Sequence, residues 1–186
     1  IPHFHQNDGR PITQIQPRLP ASESFRNLRT YLLHANTTKK KPSRTYLITS
    51  ILAGEGKSTV VANLGVVLAQ NGRQVTIVDA DMRRPKLHKI LNFENNVGLS
   101  QIFDAADAEV SLNELLQPTS ISNLSLITSG EPPPNPSELL STEKMNKFLA
   151  ELKDKSEFVL IDTPPALAVT DALVLLPFVD GVILVL

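Results

Sequence analysis

The chain has 186 residues, of which 41% are hydrophobic and 20% charged, and its formal net charge is −1 at pH 7. These values fit one ordinary globular domain, exclude disordered and fibrous chains, and give no overall bias toward nucleic acid. The absence of cysteine excludes disulfide scaffolds, zinc–thiolate sites and thiol catalysis, and no apolar run reaches the roughly 20 residues of a membrane-spanning helix.

The two ends of the sequence indicate a piece of a longer protein. The first residue is Ile1 rather than methionine, and residues 182–186 form an apolar, strand-like run of the kind usually buried inside a fold. Residues 1–20 contain four prolines and no hydrophobic period, which predicts an extended linker or arm. We therefore expect a domain over residues 21–186 that is incomplete at its C-terminus.

The first predicted helix begins at Ser22, a residue type that favours helix N-caps. Its apolar residues Phe25, Leu28 and Leu32 recur at helical spacing. We expect this apolar stripe to pack against the rest of the domain.

From residue 45 onward the pattern alternates strands with helices. The predicted strands are 45–50, 74–79, 124–128, 158–162 and 181–186, and the predicted helices are 57–70, one within 135–155, and a short one over 171–176. Continuous apolar strands separated by helices are typical of an α/β fold whose mainly parallel sheet is covered by helices on both faces. Such sheets bind their ligands at the carboxyl ends of the strands.

A glycine-containing loop joins the first strand to the first long helix. In a phosphate-binding loop, glycines let backbone N–H groups wrap an anion, a lysine reaches the β- and γ-phosphates of a nucleotide, and a serine binds Mg²⁺. The usual pattern, G-x-x-x-x-G-K-[ST], is present except that Ile51 occupies the first glycine position. We expect this P-loop to bind ATP through Gly54, Glu55, Gly56, Lys57, Ser58 and Thr59.

Carboxylates follow two of the predicted strands. Asp79 and Asp81 come at the end of the second strand, and Asp162 comes at the end of the fourth. Mg²⁺ prefers oxygen ligands and keeps several waters, so the sequence predicts a magnesium site in which the Ser58 hydroxyl and these carboxylates act directly or through water. We also expect the fourth strand to lie parallel to and beside the first, which brings Asp162 near Ser58.

The order and spacing of these segments resemble the bacterial tyrosine kinase family of capsule and exopolysaccharide export. That family combines a Walker A loop with a segment of the form D-x-D-x-R, here 79–83, and a Walker B segment ending D-T-P-P, here 162–165. Residues 23–29 are similar to the family's E-x-x-R-x-x-R oligomerisation helix, and residues 133–140 to its proline-rich helix start. The resemblance covers all but about the first 18 residues. It implies a P-loop NTPase of the deviant Walker type, the architecture shared with Min and Par ATPases.

The resemblance implies transfer of the γ-phosphoryl group of ATP to a tyrosine hydroxyl. Lys57 and Mg²⁺ would neutralise charge on the β- and γ-phosphates, because phosphoryl transfer depends mainly on positioning and charge. Ser58 is then a direct ligand of Mg²⁺, with Asp81 and Asp162 ordering the metal and its waters. Asp79 accepts or orients the tyrosine proton, although Asp79 and Asp81 lie close in sequence and could exchange roles.

The resemblance also implies a ring-shaped homo-oligomer. In the family, the helix carrying Glu23, Arg26 and Arg29 meets a neighbouring subunit, and Arg83 either braces the acidic pair or reaches that neighbour. The other implied partner is a membrane activator or polysaccharide co-polymerase, fused or separate, and no nucleic acid is implied. The domain itself would be soluble and would lie at the cytoplasmic face of the bacterial cell membrane.

Tyrosine is scarce in this chain. Only Tyr31 and Tyr46 occur, so the tyrosine cluster that accepts phosphate near the C-terminus of the family is absent from this sequence. Tyr46 falls within the first predicted strand and is expected in the core. Tyr31 lies on the first predicted helix, where it is open to phosphorylation or packing, of which packing is expected.

Two alternatives stay open at this point. Min- and Par-type positioning ATPases share the sheet and both Walker elements, but they carry an extra lysine near the start of the loop, where this chain has Leu52 and Ala53. A nucleotide-gated scaffold that regulates polymer export by assembling and dissociating would bind MgATP without phosphorylating tyrosine. The missing lysine, together with Arg26 and Arg29 ahead of the first strand, favours the kinase.

Overall fold

The computed structural model describes residues 10–34, 44–103 and 110–186. The described helices are α1 (Ile12–Ile15), α2 (Pro20–His34), α3 (Lys57–Ala69), α4 (Leu87–Leu91), α5 (Leu112–Leu115), α6 (Pro136–Leu140), α7 (Glu143–Lys155) and α8 (Asp171–Val174). The strands are β1 (Arg44–Ser50), β2 (Val75–Asp79), β3 (Gln117–Pro118), β4 (Leu124–Ile127), β5 (Phe158–Asp162) and β6 (Gly181–Val185). Two 3₁₀ turns cover Leu99–Phe103 and Leu176–Phe178.

The six strands form one sheet in the order β3-β4-β2-β5-β1-β6. Every pairing described is parallel except that of the two-residue edge strand β3 with β4. β5 lies between β1 and β2, with Asp162 opposite both Ile48 of β1 and Asp79 of β2. The predicted mainly parallel sheet, with the fourth predicted strand beside the first, is confirmed.

Helices cover both faces of the sheet, which explains why its central strands are apolar without alternation. On one face, Tyr46, Ile48 and Leu160 pack in a core with α1, α2, α3 and α4. On the other face, Leu47 and Val159 pack with α5, α6, α7 and α8. The α3 helix is buried along almost its whole length. None of the described helices is long and apolar enough to cross a lipid bilayer.

The N-terminal part of the domain differs from the sequence prediction. α2 begins at Pro20, so Ser22 lies inside the helix, where its Oγ donates a hydrogen bond to the Gln16 carbonyl oxygen at 2.8 Å. Ser22 is therefore not the helix cap that we expected. The extended arm predicted over residues 1–20 is wrong for α1, a helical turn whose Ile12 and Thr13 are buried. Residues 1–9 lie outside the described residues.

Several short elements also differ from the predictions. The helix expected within residues 135–155 is two helices, because the chain turns at Ser141 and Thr142. Thr142 Oγ1 accepts the backbone N–H of Met145 at 3.4 Å and caps α7. α4, α5 and β3 were not predicted, since helices of four or five residues complete little more than one turn of their period and β3 has only two residues.

Candidate functional site

The loop between β1 and α3 has the backbone of a phosphate-binding loop. Gly54 and Gly56 adopt positive φ angles of 89° and 90°, a region that glycine enters without steric cost. Glu55 closes the loop, because its Oε2 accepts the backbone N–H of Leu52 at 2.8 Å, and Ser50 Oγ donates to the Leu52 carbonyl oxygen at 2.7 Å. The thirteen-residue helix α3 begins where the loop ends, so its free N–H groups are available to a phosphate.

Lys57, Ser58 and Thr59 form the first turn of α3. Lys57 is only 8% exposed, which is rare for a lysine that has no functional partner. Its charge lowers the pKa of Asp162, so the ammonium group lies close to the strand-end carboxylates. Ile51, which replaces the usual first glycine, is 38% exposed and therefore does not fill the interior of the loop.

The carboxylates of Asp79 and Asp162 are buried side by side at the ends of β2 and β5. The two residues are register partners, and the backbone N–H of Ala80 donates to the Asp162 carbonyl oxygen at 2.9 Å. Among the described residues, neither carboxylate oxygen of Asp162 has a hydrogen-bond partner, and neither does Oδ1 of Asp79. Buried oxygens without partners are costly, so this pair indicates a site for a ligand that is itself a cation or donor.

The environment of Asp79 raises the pKa of its carboxyl group well above the usual value. Burial is the largest cause, followed by the charge of Asp162. The backbone N–H groups of Leu87 and Lys86 act in the opposite direction, donating to Asp79 Oδ2 at 3.0 and 3.2 Å. These two bonds hold the carboxylate in one orientation and leave Oδ1 free.

Burial also raises the pKa of Asp162, to about 7. The Ser58 hydroxyl lowers this pKa, the charge of Asp81 raises it, and the charges of Lys57 and Lys86 lower it. The Ser58 hydroxyl is therefore near the carboxylate, as the sequence predicted, although the two groups do not reach hydrogen-bond geometry. The structure thus brings together the five predicted side chains Lys57, Ser58, Asp79, Asp81 and Asp162.

Asp81 and Arg83 contact different partners from the same loop. Asp81 is 8% exposed, and its Oδ1 accepts the backbone N–H of Arg84 at 3.0 Å. Arg83 forms a two-bond ion pair with Asp171, with Nε–Oδ2 and Nη2–Oδ1 distances of 2.9 and 3.0 Å. Asp171 is fully buried and also accepts the hydroxyl of Ser137. The main partner of Arg83 is therefore Asp171 of its own chain, which was neither of the two partners expected, the acidic pair or a neighbouring subunit.

The strand-end carboxylates do not enclose a metal ion by themselves. Within the described part of the chain, no group of three or more His, Cys, Asp or Glu side chains is arranged to hold one. Mg²⁺ in nucleotide sites keeps several waters and takes phosphate oxygens, so it needs only one or two protein ligands. The Ser58 hydroxyl and the unpartnered Asp162 oxygens therefore fit Mg²⁺ that binds together with a nucleotide.

A polar cavity of about 550 Å³ lies between the segment joining α4 to α5 and the loop that follows β4. Its wall includes Asn96, Gln101, Phe103 and the prolines of 132–134. The proline-rich segment singled out in the sequence thus borders open space and then enters α6, whose Ser137 contacts Arg83 at 3.3 Å.

The predicted oligomerisation residues lie away from this site. Arg26 Nη1 donates to Glu23 Oε1 at 2.5 Å, and Arg26 Nη2 donates to the Pro17 carbonyl oxygen at 2.7 Å. Arg29 Nη1 donates to the Val67 carbonyl oxygen at 3.2 Å. Val67 lies ten residues, roughly 15 Å, along α3 from the P-loop. Of these contacts, the Arg29 bond joins α2 to α3 of its own domain.

The two tyrosines have opposite surroundings. Tyr46 is 5% exposed and stacks on Phe158 with the ring centroids 6.4 Å apart, so its predicted core position is confirmed. Tyr31 is 75% exposed, so its predicted packing is wrong. The reason is helical phase, because Tyr31 precedes the buried Leu32 and is rotated about 100° away from it.

Sequence reasoning missed Lys86, Asp171 and Asn63. Lys86 belongs to no motif, and an acid in the first turn of a helix, such as Asp171, usually serves the helix alone. Asn63 is fully buried in α3, where its Oδ1 accepts both the N–H and the hydroxyl of Thr13 at 2.9 Å. Its Nδ2 donates to the Thr59 carbonyl oxygen at 2.8 Å. A polar residue inside an otherwise apolar helix was the available signal for Asn63.

Comparison with known sequences gives close relatives along most of the chain. A family model described as an AAA domain matches residues 44–186. The tyrosine-protein kinase YwqD of Bacillus subtilis is 39% identical over 175 residues, which cover 94% of this chain and 72% of that protein. The tyrosine-protein kinase Wzc of Salmonella typhi is 40% identical over 152 residues, which are 82% of this chain and 20% of that protein.

Comparison with solved structures gives the following similarities. The chimeric protein CapA2B2 has a TM-score of 0.87 and 37% identity, covering 97% of this chain and 77% of that one. The septum site-determining protein MinD of Pyrococcus horikoshii, solved with Mg-ADP, has a TM-score of 0.64 and 30% identity, covering 77% and 57%. The Min-like architecture is thereby confirmed. The kinase domain of the Escherichia coli tyrosine kinase ETK matches more of the chain, with a TM-score of 0.87 and 34% identity, covering 99% of this chain and 70% of that one. By sequence and by fold, the chain belongs to the family of bacterial tyrosine-protein kinases.

Proposed function

We propose that this chain is an ATP-dependent protein-tyrosine kinase domain, which transfers the γ-phosphoryl group of ATP to a tyrosine hydroxyl. The observation that carries the proposal is the pair of buried carboxylates, Asp79 and Asp162, whose unpartnered oxygens lie beside the buried P-loop residue Lys57. The relatives named tyrosine-protein kinases support this reaction over that of a Min-type ATPase.

The P-loop would position the nucleotide. The N–H groups of Gly54, Gly56 and the first turn of α3 would bind the phosphates, with Lys57 placing its charge on the β- and γ-phosphates. Bound Mg²⁺ would neutralise negative charge on the same phosphates. Ser58 would be its direct ligand, and Asp162 would orient its waters through oxygens that have no other partner in the described chain.

Asp79 is our candidate for accepting or orienting the tyrosine proton, and Asp81 for ordering the metal waters. Asp79 Oδ2 is fixed by two backbone donors, which leaves Oδ1 to face the reacting hydroxyl. A carboxylate with a raised pKa is a stronger base than an ordinary one, which suits general-base work. Asp81 is bound to the Arg84 N–H and lies nearer to solvent, which suits contact with waters.

We further propose that the kinase acts as a ring-shaped homo-oligomer in capsule or exopolysaccharide export, at the cytoplasmic face of the cell membrane. Glu23, Arg26 and Arg29 would form the subunit contact, and a membrane activator or polysaccharide co-polymerase would be the partner. The chain spans 72% of YwqD but 20% of Wzc, so relatives of this domain occur both nearly alone and within much longer proteins. This supports a partner that is separate in some proteins and fused in others.

Calorimetry with MgATP and phosphotyrosine detection on the full-length protein test the kinase proposal. Lys57→Met removes the positive charge from the phosphate site, and we expect ATP binding to weaken at least tenfold and phosphotyrosine to disappear. Lys147→Met, on the exposed side of α7, is the matched control and should leave both unchanged. Unchanged binding in Lys57→Met would contradict the P-loop assignment. MgATP binding by a wild type that labels no tyrosine would instead favour the nucleotide-gated scaffold.

A further inference from the structure

Tyr31 is the one tyrosine of this sequence that a second molecule can reach. The sequence has two tyrosines, and Tyr46 is 5% exposed inside β1, where it stacks on Phe158. Another active site could engage Tyr46 only if the sheet opened. Tyr31 is 75% exposed in the folded domain, so its ring and hydroxyl are available without unfolding.

Tyr31 lies on the solvent face of α2. Phe25 and Leu32 are buried on the opposite face of the helix, against the core that includes α3. The exposed residues of α2 include Glu23, Asn27, Thr30, Tyr31 and His34, which the helical period places on one broad face. A protein that approached this face would therefore meet the tyrosine together with Glu23 of the proposed subunit contact.

Tyr31 and the nucleotide site lie at opposite edges of the sheet. Arg44, the first residue of β1, donates from Nη1 to the carbonyl oxygens of Leu32 and Leu33, both at 3.1 Å, so the end of α2 is tied to the amino edge. The P-loop follows Ser50, the last residue of β1. A seven-residue strand spans roughly 20 Å. The hydroxyl of Tyr31 therefore cannot reach the phosphate site of its own folded chain.

We propose that Tyr31 is a phosphoacceptor that is modified by a second copy of the kinase, an inference that rests on the proposed function. Tyr31 Oη of one molecule would attack the γ-phosphorus of ATP bound to another. A new Oη–P bond forms, the bond between the γ-phosphorus and the β–γ bridging oxygen breaks, ADP leaves, and the phenolic proton passes to a carboxylate of the site and then to water. The product carries about two negative charges at pH 7 on the exposed α2 face that also bears Glu23. The modification therefore adds negative charge on the same face as Glu23 of the proposed subunit contact.

The test mixes two forms of the full-length protein with MgATP. Wild type serves as the kinase, and an isotope-labelled Lys57→Met protein, itself unable to transfer phosphate, serves as the acceptor. Mass spectrometry then reads the phosphate on each tyrosine of the labelled chain. A copolymer of glutamate and tyrosine, added in a parallel reaction, reports kinase activity independently of Tyr31.

We expect phosphate on Tyr31 of the labelled chain and none on Tyr46. Adding Tyr31→Phe to the acceptor should remove that signal, whereas adding Tyr46→Phe should leave it. If the copolymer is labelled while Tyr31 stays below about 1% occupancy, the acceptor assignment is wrong and the kinase function stands. If neither is labelled, both proposals fail. Phosphate confined to the wild-type chain would overturn transfer between molecules, and equal labelling of Tyr46 would show that unfolded chains were the substrate.

Discussion

The carboxyl edge of the sheet and the solvent face of α2 both carry clustered charges, but the two clusters differ in burial and in how many of their polar atoms have hydrogen-bond partners. At the sheet edge, Asp79 and Asp162 are fully buried, and three of their four carboxylate oxygens have no partner in the described chain. On α2, Glu23 is exposed and Arg26 bonds both to it and to a backbone carbonyl oxygen. The buried carboxylates thus lack hydrogen-bond partners for most of their oxygens, whereas Arg26 on the exposed face has two.

This contrast indicates which charges in the fold serve a function. An exposed ion pair contributes roughly 0.2–1 kcal/mol and is screened by salt, so its presence is weak evidence of a function. An unpaired buried carboxylate costs several kcal/mol in the free energy of folding, so its presence indicates a ligand that offsets the cost. Four experiments test this interpretation.

The largest effect is expected on catalysis at the sheet edge. Asp79→Asn and Asp81→Asn, each in the full-length protein, should lower the rate of tyrosine phosphorylation by about 10²–10⁴-fold, because each removes a proton acceptor or a charge that orders the metal. ATP binding should suffer much less than transfer. Asp154→Asn, on the exposed side of α7, is the control. A full phosphotyrosine signal from both variants would contradict the catalytic roles assigned to Asp79 and Asp81.

The second effect is a dependence of stability on pH in the metal-free protein. The pKa of Asp162 is about 7 in the folded state and near 3.9 in an unfolded chain, so between these values the folded state binds more protons. The free energy of unfolding should therefore fall as pH rises from about 4 to 7, and then level off, with a total change on the order of a few kcal/mol.

Urea denaturation in EDTA across this range measures that dependence. Asp162→Asn should make the curve shallower and raise stability above pH 7, because one of the two buried carboxylates with a raised pKa is gone. If the free energy of unfolding of the wild type instead rose with pH over this range, as much as that of Asp162→Asn, the raised pKa of Asp162 would be contradicted.

The third effect concerns the ion pair between Arg83, which follows β2, and Asp171, the first residue of α8. Arg83→Ala leaves the fully buried Asp171 without its main partner and should destabilise the protein by about 2 kcal/mol. Arg84→Ala removes an exposed arginine side chain beside it and should cost less than about 0.5 kcal/mol. Urea midpoints compare the two variants, and equal midpoints would show that the Arg83–Asp171 pair contributes nothing.

The smallest effect on folding is expected at α2. Glu23→Gln should change the free energy of unfolding by less than about 0.5 kcal/mol, because the pair with Arg26 is exposed. Native mass spectrometry in MgADP should nevertheless show weaker self-association of the full-length variant. If Glu23→Gln assembled as well as the wild type, the proposed role of Glu23 in the ring contact would be wrong.

The sheet was predictable because its central strands are buried on both faces and therefore appear as unbroken apolar runs. The P-loop and the strand-end acids were predictable because each is a local pattern with a fixed relation to a strand. The break between α6 and α7 was not, since Ser141 and Thr142 are not strong helix breakers. No local pattern could pair Arg83 with Asp171, which lies 88 residues away in sequence.

Tyr31 shows a different limit. The spacing of Phe25, Leu28 and Leu32 identifies the buried stripe of α2 correctly in outline, with Phe25 and Leu32 fully or almost fully buried. Hydrophobic character alone then suggests that a nearby aromatic residue joins the stripe. The helical period excludes Tyr31 from the stripe, because Tyr31 is one residue before Leu32 and its side chain is therefore rotated about 100° from that of Leu32.

Asn63 joins α1 to the first turn after the P-loop through one set of hydrogen bonds. Its amide bonds Thr13 of α1 on one side and the carbonyl oxygen of Thr59, in the first turn after the P-loop, on the other. Undocking α1 would leave the buried Asn63 oxygen without its donors, so the two positions share one set of hydrogen bonds. Linkage is reciprocal: whatever factor nucleotide binding applies to the docking equilibrium of α1, docking applies the same factor to nucleotide affinity.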